Sequence, residues 1–167
     1  LGNPGPGGWG VRVLYPDNTV QELGGAAAHT TNNRMELQAA IAALETLQAA
    51  SGATLYTDSR YVIDGLTRWL AVWRRRNWMT TAQTPVKNQD LWERLGSLQR
   101  AGFAWRHVRG HRGHPQNERV DYIARTFARG QSPTLFCGLA GAPEDPLIAP
   151  APPLAALPAP AVVAVQA

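Results

Sequence analysis

A chain of 167 residues has room for one ordinary domain of about 100 to 150 residues and an appendage, which argues against two full domains. It carries 16 basic and 12 acidic residues, and because Glu144 and Asp145 are the only charges after Arg129, the net charge of +4 becomes an excess of +6 over residues 1–130. That excess favours a polyanionic partner such as nucleic acid. The single cysteine, Cys137, excludes an intramolecular disulfide framework, gives no support to a Cys-based zinc site, and fits a reducing cytoplasm.

Up to about residue 130 the apolar period alternates between two and 3.6. Trp9, Val11, Val13 and Tyr15 alternate along a strand, Pro16-Asp17-Asn18 supplies a turn, and Thr19 to Leu23 returns as a second strand. Leu37, Ala40, Ile41, Leu44 and Leu47 fall at helical spacing behind Asn32-Asn33, which are good N-cap residues. Thr54 to Thr57 is a short strand that runs through Asp58-Ser59 into another helical stretch. Further helices are expected around Thr67 to Arg76 and Gln89 to Gln99, then a strand at Phe103 to Val108 and a last helix from about Asn117 to Ala128. This order suits a mixed sheet with helices packed on it.

Beyond residue 130 the composition shifts. Eight of the 13 prolines lie in the last 37 residues among Ala and Leu, so residues 131–167 read as a Pro/Ala-rich, disordered tail outside a domain of residues 1–130. Pro146 to Ala167 is uncharged, but Pro150, Pro152, Pro153, Pro158 and Pro160 break any helix there, which argues against a membrane span.

Three acids stand at element ends or on apolar faces. Glu36 shares a helical face with Ala40, Ala43 and Leu47; Asp58 follows the strand ending at Thr57, where ligands gather in open α/β sheets; Asp121 sits beside Val120, one turn before Ala124. Brought together, three carboxylates repel unless they hold cations, and hard oxygen donors suit Mg²⁺. Each also has a structural reading, with Glu36 in a capping box with Asn33, Asp58-Ser59 as an N-cap pair, and Asp121 favouring the first turn of its helix. Spacing alone does not show that the three converge.

Five segments in order carry a more specific signal: Leu1-Gly2-Asn3-Pro4-Gly5-Pro6-Gly7-Gly8-Trp9-Gly10, Thr30-Thr31-Asn32-Asn33-Arg34-Met35-Glu36-Leu37, Thr57-Asp58-Ser59, Pro85-Val86-Lys87-Asn88, and Gly110-His111-Arg112-Gly113-His114-Pro115 with Asn117-Glu118-Arg119-Val120-Asp121. Together they resemble type 1 ribonuclease H over about residues 1–129. The resemblance implies an α/β fold, a five-stranded mixed sheet flanked by helices, and endonucleolytic cleavage of the RNA strand of RNA/DNA hybrids with two Mg²⁺ ions, Mn²⁺ being the other candidate. Glu36, Asp58 and Asp121 match three of the family's four metal-binding acids, and His111 matches the mobile histidine that assists proton transfer or product release. An imidazole titrating near neutral pH between Gly110 and Gly113 suits that role.

The family's first metal-binding aspartate has no counterpart. Its place lies about four residues before Leu1, on a first strand in the middle of the sheet, so the natural chain is expected to start upstream, and the domain of residues 1–130 to lack that strand. A hybrid-binding module that does not cut is the alternative reading. Nucleic-acid contacts are expected from Asn3, Thr31, Asn32 and Asn33, whose amides and hydroxyl suit 2′-OH and minor-groove contacts, and from Trp69, Trp73, Arg74, Arg75 and Arg76, which match the family's basic protrusion. Packing within the protrusion is an equal reading for the tryptophans. A cytoplasmic monomer without an obligate protein partner is expected.

Overall fold

The structure is a computed structural model that describes residues 2–109, 114–147 and 161–166. Its frame begins with the expected hairpin, β1 (Gly5–Leu14) antiparallel to β2 (Thr19–Thr30). At the turn, Asn18 adopts a left-handed φ of 68°, which asparagine tolerates better than other side-chain-bearing residues, and Asp17 Oδ1 accepts the Thr19 N–H at 2.9 Å.

Alternation along β1 sends its side chains to two buried faces. Val11 and Val13 meet Leu37, Ile41 and Leu44 of α1 (Asn32–Thr46), while Gly8, Gly10 and Arg12 face α5 (Pro115–Ala128). A Cβ on Gly8 would run into the backbone of Ala124 and Ala128, so this glycine lets α5 lie directly on the strand. Helices on both faces explain why β1 is buried from Gly10 to Val13.

Next come β3 (Ala53–Thr57) and β4 (Phe103–His107), parallel and in register from Ala53 opposite Phe103 to Thr57 opposite His107. Between them the chain forms α2 (Arg60–Asp64), a π-helical turn (Gly65–Trp69), α3 (Leu70–Arg75) and α4 (Gln89–Leu98). The helical stretch behind Ser59 thus runs on to Arg75 with one widened turn. There the fully buried indole of Trp92 on α4, distant in sequence, occupies the space where any Cβ on Gly65 would stand.

Within the stretch read as a disordered tail, two described segments form strands. β5 (Cys137–Leu139) extends the sheet beyond β2, and β6 (Ala161–Gln166) lies between β1 and β3, antiparallel to the first and parallel to the second. The sheet is therefore six-stranded, in the order β4-β3-β6-β1-β2-β5. The mixed α/β class is as expected, but the central position expected to be vacant is filled by a proline-free, valine-rich segment of the chain's own C-terminal region.

A buried charge network fixes residues 134–147 to the domain. Arg12, 2% exposed, donates through Nη2 to both carboxylate oxygens of Asp145 at 2.9 Å and through Nε to Gln116 Oε1 at 2.6 Å. Asp145, also 2% exposed, further accepts the N–H groups of Gly141 and Leu147. Beside it, Glu22 accepts from Arg119 at 2.7 and 3.0 Å and from the Phe136 N–H at 2.8 Å, and Arg119 also donates to the Thr134 carbonyl. Buried charges survive only when paired and hydrogen-bonded. Here the partners come from both ends of the chain.

Candidate active site and nucleic-acid interface

Glu36 lies in the second turn of α1. That helix is capped by Thr31, whose Oγ1 accepts the Arg34 N–H at 3.3 Å, so Asn32 and Asn33 are first-turn residues and the capping-box reading of Glu36 falls. Asp58 follows β3, and the cap of α2 is Ser59, whose Oγ accepts the Val62 N–H at 3.1 Å. The same hydroxyl donates to Glu36 Oε2, and the Ser59 N–H is held by Thr57 Oγ1 at 3.1 Å. One serine thus joins the end of β3, the start of α2 and the carboxylate of α1.

Burial pushes the Glu36 carboxyl above its ordinary range; the Ser59 hydroxyl works against this, and the negative charge of Asp58 pushes it further up. The Asp58 carboxylate therefore acts directly on Glu36, although 22 residues separate them. Two half-buried carboxylates at the carboxyl end of a central strand are unfavourable neighbours until a cation lies between them. Their chemistry fits a hard divalent ion, since Mg²⁺ is commonly held by one or two carboxylates and keeps several of its waters.

Asp121 is placed differently. Its Oδ2 is 3.1 Å from Arg125 Nε, one turn along α5, and among the described residues no three His, Cys, Asp or Glu side chains form a group able to hold a metal. The structure therefore brings Glu36 and Asp58 together but does not gather all three acids. His111 lies outside the described residues. His114 is the exposed N-cap of α5 and makes no side-chain capping bond.

Asn3 and Asn32 meet, the Asn32 N–H donating to Asn3 Oδ1 at 3.2 Å. Asn3, Asn32 and Asn33 are exposed and Thr31 is half-buried, so the loop before β1 and the first turn of α1 present their polar groups on one surface. For the tryptophans the structure favours packing: Trp73 stands edge-on to Trp92 at 5.4 Å and leans on Trp69 and Trp78 at 5.7 and 6.4 Å. Trp69, 38% exposed, retains the larger open face. Arg74, Arg75 and Arg76 are exposed, but Gly96 on α4 leaves room for the Arg74 guanidinium, which lies against it. An open groove lined by Arg76, Met79, Thr80, Thr81 and Gln83 continues from the arginines.

Sequence reasoning assigned no role to the groups that hold this surface on the domain. Asn88, at φ 60°, donates to the Tyr61 hydroxyl at 3.1 Å and accepts from Arg34 at 3.3 Å. Tyr61 also accepts from Trp92 Nε1 at 3.0 Å, and Arg34 clamps Asp90 through two bonds of 3.0 and 2.8 Å. The clue was available in Asn88, since a left-handed residue ahead of a helix is commonly Asn.

A family model described as RNase H matches residues 1–129. Ribonuclease H of Cyanothece sp. is 58% identical over 136 residues, covering 80% of this chain and 87% of the relative, and ribonuclease H of Thermosynechococcus vestitus is 56% identical over 133 residues, covering 78% and 84%. Among solved structures, LC9-RNase H1, described as a type 1 RNase H with the type 2 active-site motif, superposes with a TM-score of 0.69 at 33% identity, over 82% of this chain and 72% of that one. A foamy viral protease-reverse transcriptase in complex with RNA/DNA hybrid gives 0.60 at 16% identity, covering 72% of this chain and 19% of that one, a likeness of fold.

Proposed function

The chain belongs to the ribonuclease H family, and from that premise we propose that it is an endonuclease that hydrolyses the RNA strand of RNA/DNA hybrids with two divalent cations, Mg²⁺ in the first place. The observation that carries this reading is the pair Glu36 and Asp58, held at the end of β3 by Ser59. Asp121 is the third donor of the proposal. Its present partner, Arg125, is half exposed, and such a pair along one helix is worth only a few tenths of a kcal/mol. Glu36, Asp58 and Asp121 would hold the cations, which would supply an activated water and would neutralise charge on the leaving oxygen of the phosphodiester.

The remaining work falls to the chain's own groups. Ser59 fixes the rotamer of Glu36, so the two carboxylates meet a cation without rearranging. Asn3, Thr31, Asn32 and Asn33 track the minor groove, where amides serve a 2′-OH as donor and acceptor. Arg75 and Arg76 reach phosphates of the other strand, with Trp69 beside them, and Trp73 acts by packing the protrusion. His111 is assigned proton transfer or product release on the resemblance alone. Because phosphate and 2′-OH contacts read no bases, little sequence preference is expected. The proposal extends to a cytoplasmic monomer; among the described residues no helix is long and apolar enough to cross a membrane.

The test is cleavage of an RNA/DNA hybrid against duplex RNA and duplex DNA of the same sequence, with Mg²⁺, Mn²⁺ or chelator. Cutting confined to the hybrid RNA strand and lost with chelator is expected; tight hybrid binding without cleavage at any cation concentration would make the chain a binding module instead. In the same experiment, replacing Arg74, Arg75 and Arg76 together by Ala should flatten the salt dependence of hybrid binding. Each lost phosphate contact lowers the slope by about one. Since Arg74 lies against Gly96, a change of about two is expected, and an unchanged slope would remove the protrusion from the interface.

A further inference from the structure

The face of the β1–β2 hairpin that lies under α5 changes character along its length. Gly10 and Gly24 stand opposite each other in the ladder, and two positions further along the opposed pair is Arg12 and Glu22. A Cβ on Gly10 would meet the Val120 carbonyl, and one on Gly24 would meet the Phe127 ring and Ile123. With Gly8, these glycines give α5 a floor without side chains, which permits close approach but offers no ridges for the helix to interlock with. Polar grips begin where that floor ends. Arg12 Nε donates to Gln116 Oε1 at 2.6 Å, and Arg119, about one turn further along the helix, donates to Glu22 at 2.7 and 3.0 Å.

Asp145 completes this grip. Its two oxygens take Arg12 Nη2 at 2.9 Å, which fixes the plane of the guanidinium and so aims Nε at Gln116. The Phe136 ring lies 5.9 Å from the same guanidinium carbon. Two arginines, Arg12 and Arg119, then face two carboxylates, Glu22 and Asp145, and removing Asp145 leaves an excess of buried positive charge beside the helix. Asp145 lies outside residues 1–129, which the family model matches. Asp121 follows Arg119 by two residues and Gln116 by five, about 3 and 7.5 Å along the axis, so a slip of the gripped turn carries Asp121 with it.

We propose that Arg12, Glu22, Arg119 and Asp145 lock the register of α5 on its glycine floor, and that Asp145 is thereby a positioning residue for the Asp121 carboxylate. The second step rests on the nuclease reading, in which Asp121 is a cation donor; the lock itself does not.

The experiment uses the full chain on a Cys137→Ser background. Nitroxide labels on Glu45→Cys of α1 and Glu118→Cys of α5, both exposed positions, report the distance between the helices by pulsed electron paramagnetic resonance. Unlabelled protein gives the midpoint of Mn²⁺ binding by calorimetry without nucleic acid, and kcat and KM on the hybrid, all well below the melting temperature. Arg12→Leu with Asp145→Ala leaves neither member of that pair stranded but loses the hold on Gln116. It should shift or broaden the label distance by at least about 1.5 Å, the rise of one helical residue. Its Mn²⁺ midpoint should rise about 10-fold and its kcat fall about 10-fold, with KM within about twofold of the parent, the split expected when a group acting in the reaction is displaced. Gln116→Ala, which touches no charge, should move the same quantities in the same direction by about threefold, and it decides the matter if the double variant does not fold. A role in stability alone would lower the melting temperature and leave the label distance and the Mn²⁺ midpoint where they are. The proposal is overturned by that result, or by a shifted distance with an unchanged midpoint and kcat when Asp121→Asn moves both. If Asp121→Asn itself keeps the parent's midpoint and kcat, the cation site of the nuclease reading fails, and the label distances alone decide the lock.

Discussion

Asp58→Asn is expected to reduce hybrid cleavage by about 10³-fold or more while leaving hybrid binding intact. A carboxylate that holds a cation supplies several kcal/mol of transition-state stabilisation, and about 4 kcal/mol corresponds to 10³ in rate. In the proposed function binding is assigned to other groups, Asn3, Asn32, Arg75 and Arg76, all of them exposed. Stability should move the other way, because the substitution removes the like charge that pushes Glu36 up.

The pH dependence follows from that sign. The Glu36 carboxyl is raised in the folded protein, first by burial and then by Asp58. Folding is therefore relatively favoured while Glu36 is protonated, below its unfolded value, and loses that advantage as pH rises through the folded value. Glu36 thus costs stability at neutral pH, which agrees with the cation site proposed above. Melting of Asp58→Asn across pH 4 to 8 should show a smaller decline on this limb than the parent. Near-normal cleavage by Asp58→Asn would remove the residue from the chemistry; a lowered melting temperature would mean that its charge holds the fold rather than the reaction.

How much of this was legible in the sequence depends on range. The β1–β2 turn, the apolar face of α1 and the strand ending at Thr57 are written in periods of two and 3.6, and the structure has them where the periods lie. Local competition was harder: Asn32 and Asn33 look like better caps than Thr31, but Thr31 is the residue left extended ahead of the helix, with φ −115° and ψ 160°. The π turn at Gly65 meets Trp92, which is 27 residues away, and no local pattern contains it. Glu36 and Asp58 were joined by resemblance rather than by spacing, and Ser59, which connects them, looked like a helix cap and nothing more. β6 did leave a signal, a proline-free valine-rich run, which the composition of the surrounding 37 residues averaged away.

Asp145→Ala is expected to destabilise the protein by about 3–5 kcal/mol, the cost of breaking a buried ion pair from one side. Against the 5–15 kcal/mol that holds a typical domain together, that is a large fraction. Arg12 would keep Gln116 at 2.6 Å, but its remaining carboxylate, Glu22, stands 3.8 Å from Nη1, beyond hydrogen-bond distance and already committed to Arg119 and Phe136. Its Nη1 has no hydrogen-bond partner even in the intact protein. The loss extends to the backbone, since the N–H groups of Gly141 and Leu147 are held by the same carboxylate. Burial alone would raise the Asp145 carboxyl, but those two N–H groups and the Arg12 guanidinium outweigh it and hold the group below the ordinary carboxylate range. Here the sign is opposite to that of Glu36: the stabilisation is present above the unfolded value and is lost as pH falls through the folded one. Denaturant unfolding should therefore show the parent losing stability on acidification more steeply than Asp145→Ala does. A compensated variant, Arg12→Leu with Asp145→Ala, should recover part of the loss, because removing both charges is cheaper than stranding one. If Asp145→Ala unfolds within about 1 kcal/mol of the parent at neutral pH, the Arg12–Asp145 pair does not fasten residues 134–147 to the sheet.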